Sequence, residues 1–189
     1  MQVTLTASDL KEIATLSNVA SKKDGRPILE GIHIRTDGST ITATATDSYQ
    51  LARITKPATG DTVEIIVPAA YLVRVAKELP TYADKVTLEI EEFNVSARIG
   101  DTVLGDRLID GTYPNTDSLI PNLDNYTPGE VQGHLIALSP QKLAVLAKLA
   151  PFSNKRDNTA AKFYVSDSSR PIAATGGDTI YLLMPVRVK

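Results

Sequence analysis

The sequence predicts an α+β protein made of three copies of one unit, in which a short strand is followed by a helix and then by further strands. Three observations predict this class. Helix-start signals near residues 7, 68 and 139 each follow a short strand-like run, more strand-like runs come after each helix, and a polar, proline-containing stretch separates the second copy from the third. A period of this length indicates repeated supersecondary units that share one core.

The first unit starts with an alternating strand at residues 2–6. Ser8 and Asp9 suggest the N-cap of a helix that runs to about Lys22. The Asp37-Gly38 pair predicts a tight hairpin turn after the helix. The expected apolar side of the helix is Leu10, Ile13, Ala14 and Ala20, and the expected strands are 28–35, 40–46 and 49–55.

The second unit repeats the order from residue 63. A strand at 63–67 leads to Pro68 in the first turn of a helix, whose apolar positions are Leu72, Val75 and Leu79. Pro80 is expected to end this helix. The remaining strands of the unit are predicted at 85–91, 93–99 and 102–109.

The third unit follows a linker at 122–133. A strand at 134–138 precedes Ser139 as N-cap, with Pro140 in the first helical turn. The expected apolar face of this helix is Leu143, Ala147 and Ala150, and the expected strands are 160–166 and 171–184. We therefore expect a complete domain at 1–121 (units 1–57 and 58–121) and a half domain at 134–189. One unit alone leaves a sheet edge unpaired, so the half domain should be completed by another chain.

The composition argues against an enzyme. The 189 residues contain no Cys and two His, which leaves thiol chemistry out and a histidine metal site poorly supplied. A hydrolase built on Asp47, Asp106 and Asp110 is a weak alternative, because no nucleophile and base accompany these turn residues. We expect no cofactor, no metal and no membrane contact. The absence of a signal pattern or a long apolar run favours a cytoplasmic protein.

The charges are unevenly distributed. The three helices and their C-terminal turns (7–23, 68–80 and 139–156) carry nine basic and three acidic residues, whereas the rest carries eleven basic and nineteen acidic ones. Lysine and arginine are common at helix ends for dipole reasons, which explains part of this excess. A positive helical face on an acidic protein favours weak, sequence-independent contact with duplex DNA.

The C-terminal residues 179–189 are unusually apolar for a chain end. Residues 181–184 can form a strand, and Pro185 must end central pairing because it lacks a backbone N–H. Two interpretations remain for this segment taken alone: a terminal strand packed on its own core, or one wall of a peptide-binding groove.

Three runs of residues resemble the bacterial DNA polymerase III beta subunit, the sliding clamp family. They are Thr44-Ala-Thr-Asp-Ser-Tyr-Gln-Leu-Ala52, Leu108-Ile-Asp-Gly-Thr-Tyr-Pro114 with Leu119-Ile-Pro121 behind it, and Tyr181-Leu-Leu-Met-Pro-Val-Arg187. Their order matches the family, and the resemblance covers nearly the whole chain. It implies a DNA-clamp fold in which 1–121 is similar to the middle domain of the clamp and 134–189 to the second half of its last domain. The shortened form favours a phage-encoded protein.

The resemblance also implies a groove for clamp-binding peptides, with leucine or phenylalanine anchors in the bound peptide. This chain departs from the common cellular pattern of Gly, then His or Tyr, then Arg at three positions, Ser48, Tyr49 and Gln50. The matching groove positions are Leu29, Thr46, Ser48, Tyr49, Gln50, Leu51, Pro114, Ser118, Leu119, Leu182, Leu183, Met184, Pro185, Val186, Arg187 and Val188.

In the family, helices line a channel around duplex DNA. The expected DNA-facing residues here are Lys11, Lys22, Lys23, Arg26, Arg74, Lys77, Lys142, Lys148, Lys155 and Arg156. The implied function is a processivity factor that encircles DNA as a homo-oligomeric ring and binds a replicative polymerase and a clamp loader. Twelve units in a ring would need four chains, joined through 134–189. The alternative is a decoy or adaptor that competes for clamp-binding peptides without encircling DNA.

Overall fold

The structure, a computed structural model, describes residues 1–22, 25–122, 136–150, 152, 160–165 and 170–186. Its helices are α1 (Ala7–Ala14), α2 (Ala69–Glu78) and α3 (Pro140–Leu146). Its strands are β1 (Gln2–Thr6), β2 (Gly31–Asp37), β3 (Thr40–Thr46), β4 (Gln50–Pro57), β5 (Thr59–Gly60), β6 (Thr62–Pro68), β7 (Lys85–Ile90), β8 (Asn94–Ile99), β9 (Thr102–Arg107), β10 (Lys162–Tyr164), β11 (Ile172–Gly176) and β12 (Thr179–Leu183). None of the described helices is long and apolar enough to cross a membrane.

The first two units are interlocked by an exchange of their first strands. β1 belongs to the first unit in sequence but pairs with β7 of the second, in the five-stranded sheet β5-β1-β7-β8-β9. β6 belongs to the second unit but pairs with β2 of the first. All these pairings are antiparallel. Each unit therefore completes the sheet of the other.

The third unit extends the sheet of the first. β12 pairs with β4 in antiparallel register from Thr179 opposite Ile54 to Leu183 opposite Gln50. β11 and β10 follow, giving the seven-stranded order β10-β11-β12-β4-β3-β2-β6. The sheet crosses the predicted boundary between the complete domain and the half domain, and those boundaries stay a prediction.

The main core lies between the helices and the inner faces of the two sheets. Leu10 and Ile13 of α1 and Leu72 and Val75 of α2 are almost fully buried in one cluster. α1 and α2 pack against each other inside it. Removal of these side chains from water is the main force that holds the two sheets together, at roughly 1.5–3 kcal/mol for each large apolar side chain.

The predicted apolar face of the third helix was wrong in part. Ser139 caps α3 as expected, since its hydroxyl accepts from the backbone N–H of Lys142. The residues that reach the core are Leu146, Leu149 and Ala150, whereas Leu143 and Ala147 are exposed. The spacing of Leu143, Ala147 and Ala150 indicated a helix with an apolar face, but it could not show which face the sheet would cover.

The predicted start and end of the first helix were also wrong. Thr6 is the N-cap, and its hydroxyl oxygen accepts from the backbone N–H of Asp9 at 3.0 Å. α1 ends at Ala14 and continues as a 3-10 turn over Thr15–Asn18, short of Lys22. Thr6 is preferred because β1 ends there in extended conformation, which is the backbone geometry an N-cap requires.

Replacement of Thr6 by alanine should lower the free energy of unfolding by about 1 kcal/mol, because an N-terminal N–H of α1 loses its acceptor. The matched control is Ser8→Ala, which should change it by less than about 0.5 kcal/mol, as expected for an exposed surface position. Urea unfolding followed by circular dichroism would measure both. A larger loss for Ser8→Ala than for Thr6→Ala would restore the cap position that the sequence suggested.

Candidate functional site

The turn between β3 and β4 is built by its own side chains. The Asp47 carboxylate accepts from the backbone N–H groups of Tyr49 and Gln50 at 3.0 and 3.1 Å. Thr46 accepts from the N–H of Ser48 at 3.1 Å and donates its hydroxyl to the carbonyl of Gln50 at 2.7 Å. Asp and Thr in such a turn satisfy backbone groups locally. Side chains of the turn are thereby fixed beside the end of β12.

The backbone of Ser48 has a conformation that residues with a Cβ atom rarely adopt. Its φ of 79° lies in the left-handed region, the only such value for a non-glycine residue among the described residues. The Cβ atom makes this region costly for L-residues, whereas glycine enters it freely. The Ser48 hydroxyl accepts from Arg26 Nη1 at 2.9 Å, so this residue gains one contact that glycine could not make.

Lys142 of α3 lies against this turn. Its ammonium forms an ion pair with Asp47 and stands 6.0 Å from the centre of the Tyr49 ring. The Tyr181 hydroxyl of β12 lies 2.7 Å from the carbonyl oxygen of Lys142 and 2.9 Å from Gln50 Oε1. Burial, and to a smaller extent the Asp47 charge, raise the pKa of Tyr181, so this hydroxyl keeps its proton. α3, β12 and the turn are therefore held together at one point.

Residues 108–121, here called the strap, cross the outer face of the seven-stranded sheet. The N–H of Ile109 donates to the carbonyl of Ile66 at 2.9 Å. The Tyr113 ring stacks on His33 with centroids 4.8 Å apart. Burial lowers the pKa of His33 despite its bond to Glu64, so a neutral imidazole packs under the tyrosine at neutral pH. The strap thus covers β6 and β2, and its later residues Leu119 and Ile120 reach the place where β4 meets β12.

A cavity of about 230 Å³ opens at that meeting point. Its lining consists of Thr46, Ser48, Tyr49, Gln50, Leu51, Leu119, Pro171, Leu182 and Met184. Leu51, Ala173 and Leu182 form a small buried cluster beneath it, and Ile120 of the strap packs on that cluster. A second cavity of about 410 Å³ lies next to it and shares Leu119 and Pro171. An apolar floor with a few polar groups suits anchor side chains of a short peptide.

The structure brings together eight of the predicted groove residues and separates others. Ser118 lines the neighbouring cavity. Leu29 packs instead with Ile66 and Tyr113, and Leu183 packs in the main core, so neither lines these cavities, and their assignment to the groove stays a prediction. Val186 pairs with Ala137 and is half exposed, whereas Pro114 and Pro185 do not line the first cavity. Arg187 and Val188 lie outside the described residues.

Pro171, Ala173 and Tyr164 are lining or floor residues that the sequence did not indicate. The signal that could have found Ala173 is the hairpin turn at Gly177 and Asp178, since counting back through it sets Ala173 opposite Leu182. Nothing in the sequence places Tyr164, because β10 reaches the site only through two successive strand pairings.

The predicted DNA-facing residues fall into three groups. Lys22, Lys77 and Lys148 are exposed, and Lys11 is half exposed. Arg26 and Lys142 contact the turn, and Arg74 pairs with Asp106 at 3.1 Å. The remaining three, Lys23, Lys155 and Arg156, lie outside the described residues.

Lys56 of β4 forms ion pairs with both acidic residues of α1. Its ammonium is 2.6 Å from Glu12, 3.5 Å from Asp9 and 3.3 Å from Asp178. Burial alone would lower the pKa of Lys56, but the hydrogen bonds and charges of Glu12 and Asp178 outweigh it and raise the pKa. A lysine from a strand thus offsets part of the negative charge that Asp9 and Glu12 place on the helical surface.

Comparisons with known proteins identify relatives. A family described as the DNA polymerase III beta subunit, central domain, matches residues 4–115. The beta sliding clamp of Bacillus subtilis is 34% identical over 106 residues, which is 53% of this chain and 28% of the relative. The beta sliding clamp of Salmonella typhimurium is 25% identical over 177 residues, which is 92% of this chain and 46% of the relative. The chain therefore spans less than half of either relative.

Solved structures share the fold. The beta subunit from DNA polymerase of Streptococcus pyogenes superposes with a TM-score of 0.78 at 19% identity, covering 98% of this chain and 65% of that one. The DNA polymerase III subunit beta from Pseudomonas aeruginosa gives 0.77 at 17% identity, covering 100% and 67%. The α+β clamp fold expected from the sequence is thereby confirmed.

Ser48→Gly should raise the free energy of unfolding by about 1 kcal/mol relative to Ser48→Ala, because only the alanine retains a Cβ at positive φ. Both variants lose the hydroxyl that accepts from Arg26, so the difference isolates the backbone term. Chemical unfolding of the pair measures it. Equal stabilities would mean that residue 48 is not held in the left-handed region.

Proposed function

We propose a function from one premise: the chain belongs to the DNA polymerase III beta subunit family. It acts as a sliding clamp, a processivity factor that encircles duplex DNA and catalyses no reaction. It binds clamp-binding peptides of a replicative polymerase and a clamp loader. The observation that carries the proposal is the cavity where β4 meets β12, since its lining combines family motif residues from three distant segments.

The cavity suits a short peptide that inserts leucine or phenylalanine. Leu51 and Leu182 are buried beneath it, and Met184 is 40% exposed at its edge. A methionine adapts its unbranched side chain to different anchors, and such surfaces recur where one site serves several partners. Tyr49 is 60% exposed and offers an aromatic rim to the bound peptide. A clamp that receives both a polymerase and a loader needs this adaptability.

We attribute contact with DNA to the exposed basic side chains of the helical segments. Lys22, Lys77 and Lys148 have no acidic partner among the described residues. Lysine ammonium groups bind phosphates as point charges without reading bases, which a protein that slides along DNA requires. Ion pairs already occupy Arg74 and Lys142, so we assign these two a smaller share of the contact.

Assembly is inferred from the internal repeat. Leu10, Leu72 and Leu143 each lie four residues after the N-cap of their helix, and Ala14, Ala76 and Ala147 each lie eight after it. The first two members of each set pack in the core where α1 meets α2, whereas Leu143 and Ala147 are exposed. We propose that α3 of a second copy covers this face across a two-fold axis. Two such dimers then close a ring of four chains.

Met184→Ala should weaken binding of a fluorescein-labelled peptide with adjacent leucine and phenylalanine residues by about tenfold, or ~1.4 kcal/mol, because an anchor contact is lost. Val103→Ala, at a half-exposed position on β9, is the control and should leave affinity unchanged. Fluorescence anisotropy reports both. Wild-type affinity in Met184→Ala would remove the cavity from the proposed function.

The triple variant Lys22→Glu, Lys77→Glu, Lys148→Glu should lose DNA binding by tenfold or more at low salt, because phosphate contacts become repulsions. A control triple, Lys85→Glu, Arg107→Glu, Lys162→Glu, reverses three exposed charges on strands and should bind nearly as the wild type does. Filter binding over a salt series measures this. Equal losses of DNA affinity in the two triple variants would show that net charge determines binding and that the helices form no specific DNA-facing surface.

Ala147→Cys should give a covalent dimer under mild oxidation, because the two-fold axis brings the two α3 faces together and the chain has no other cysteine. Ala70→Cys, also an exposed helical alanine, is the control and should stay monomeric on a non-reducing gel. A similar slow, concentration-dependent dimerisation of both variants would contradict the interface.

A further inference from the structure

The end of the strap is tied to the sheet by one carboxylate. The two carboxylate oxygens of Asp117 accept from Arg35 Nη1 and Nη2 at 2.9 and 2.8 Å. Arg53 Nη2 donates to the same carboxylate at 2.7 Å. Hydrogen bonds from Arg35, and then from Arg53, lower the pKa of Asp117 to about 2, so it is ionised at neutral pH. Bidentate pairing of this kind fixes geometry as well as charge.

The two arginines are fixed by the sheet. Arg35 comes from β2 and Arg53 from β4, two strands away. The Arg53 side chain is 16% exposed, and it also donates to Thr44 at 3.0 Å and to Thr116 at 2.9 Å. In the described part of the chain, Asp117 is the only carboxylate that forms an ion pair with either arginine. The two guanidinium groups therefore form an anion site on the sheet that holds one point of the strap, and Arg53 is the more firmly held of the two.

That point is coupled directly to the wall of the cavity. A 3-10 turn follows at once, in which the N–H of Leu119 donates to the carbonyl of Thr116 at 3.1 Å and that of Ile120 to the carbonyl of Asp117 at 3.2 Å. Leu119 is 50% exposed and lines both cavities. Only about half of Leu119 is buried, so packing holds its position weakly.

We propose that Asp117 is a positioning residue for peptide binding: its ion pairs with Arg35 and Arg53 hold Leu119 at the boundary of the two cavities. This inference rests on the proposed peptide-binding function. Asp117 lines neither cavity, so it acts through Leu119 and not through the peptide. Without the pairs, the peptide must itself order the strap end, and that loss of chain entropy reduces affinity.

The first test is Asp117→Asn, which keeps the shape of the side chain and removes its charge. We expect about fivefold weaker binding of the labelled leucine-phenylalanine peptide, in the range typical for coupled contacts. Asp101→Asn, in the exposed β8–β9 turn, is the matched control and should bind as the wild type does. Unchanged affinity of Asp117→Asn would overturn the proposal.

A double-mutant cycle tests the route through Leu119. In a Leu119→Ala background, Asp117→Asn should have almost no further effect, because the wall residue that it positions is already gone. Additive losses would overturn the proposal, since Asp117 would then act elsewhere.

Hydrogen exchange separates this inference from the proposed function. Asp117→Asn should speed exchange at the amides of Leu119 and Ile120 and leave that of Leu88, in the core strand β7, unchanged. If the wild type binds no peptide, the proposed function fails, and faster exchange at these two amides still supports the positioning role. Unchanged exchange there would overturn it whatever the peptide does.

Discussion

The pairing of β12 with β4 is the constraint on which the other features depend. It joins the third unit to the first in one sheet, in register from Thr179 opposite Ile54 to Leu183 opposite Gln50. The candidate groove lies at the end of this junction, where the N–H of Met184 donates to the carbonyl of Tyr49 at 3.0 Å. Neither unit contains the groove alone. The cavity and the architecture are therefore set by the same backbone hydrogen bonds.

The three units share one order of elements but differ in whether their helices are covered by a neighbouring unit. β1 and β6 are exchanged between the first two units, so that α1 and α2 cover each other. In the third unit, the described part of the corresponding strand makes one isolated bridge, Ala137 to Val186, and α3 keeps an exposed apolar face. A repeat unit is stabilised by the unit that packs against it. The third unit has no such partner against α3 among the described residues, and this favours association with another copy of the chain.

Local signals in the sequence predicted much of the fold. The Asp37-Gly38 turn and the alternation of residues 40–46 gave β3 with its observed bounds, and Ser139-Pro140 gave the start of α3. Features that depend on contacts between distant segments could not be predicted from local patterns. In Tyr181-Leu-Leu-Met the apolar residues do not alternate, so the sequence could not show that Leu183 faces the core and Leu182 the groove. The ion pairs of Lys142 and Asp117 join segments far apart in the chain and leave no local pattern.

The proposed assembly requires that the third unit is completed by another copy of the chain within a ring. The mass in solution, measured by light scattering after size exclusion over a concentration series, tests this most directly. We expect a species near four times the chain mass of 20.3 kDa, which dissociates on dilution through a dimer. A single species of 20.3 kDa at every concentration up to the micromolar range would contradict it.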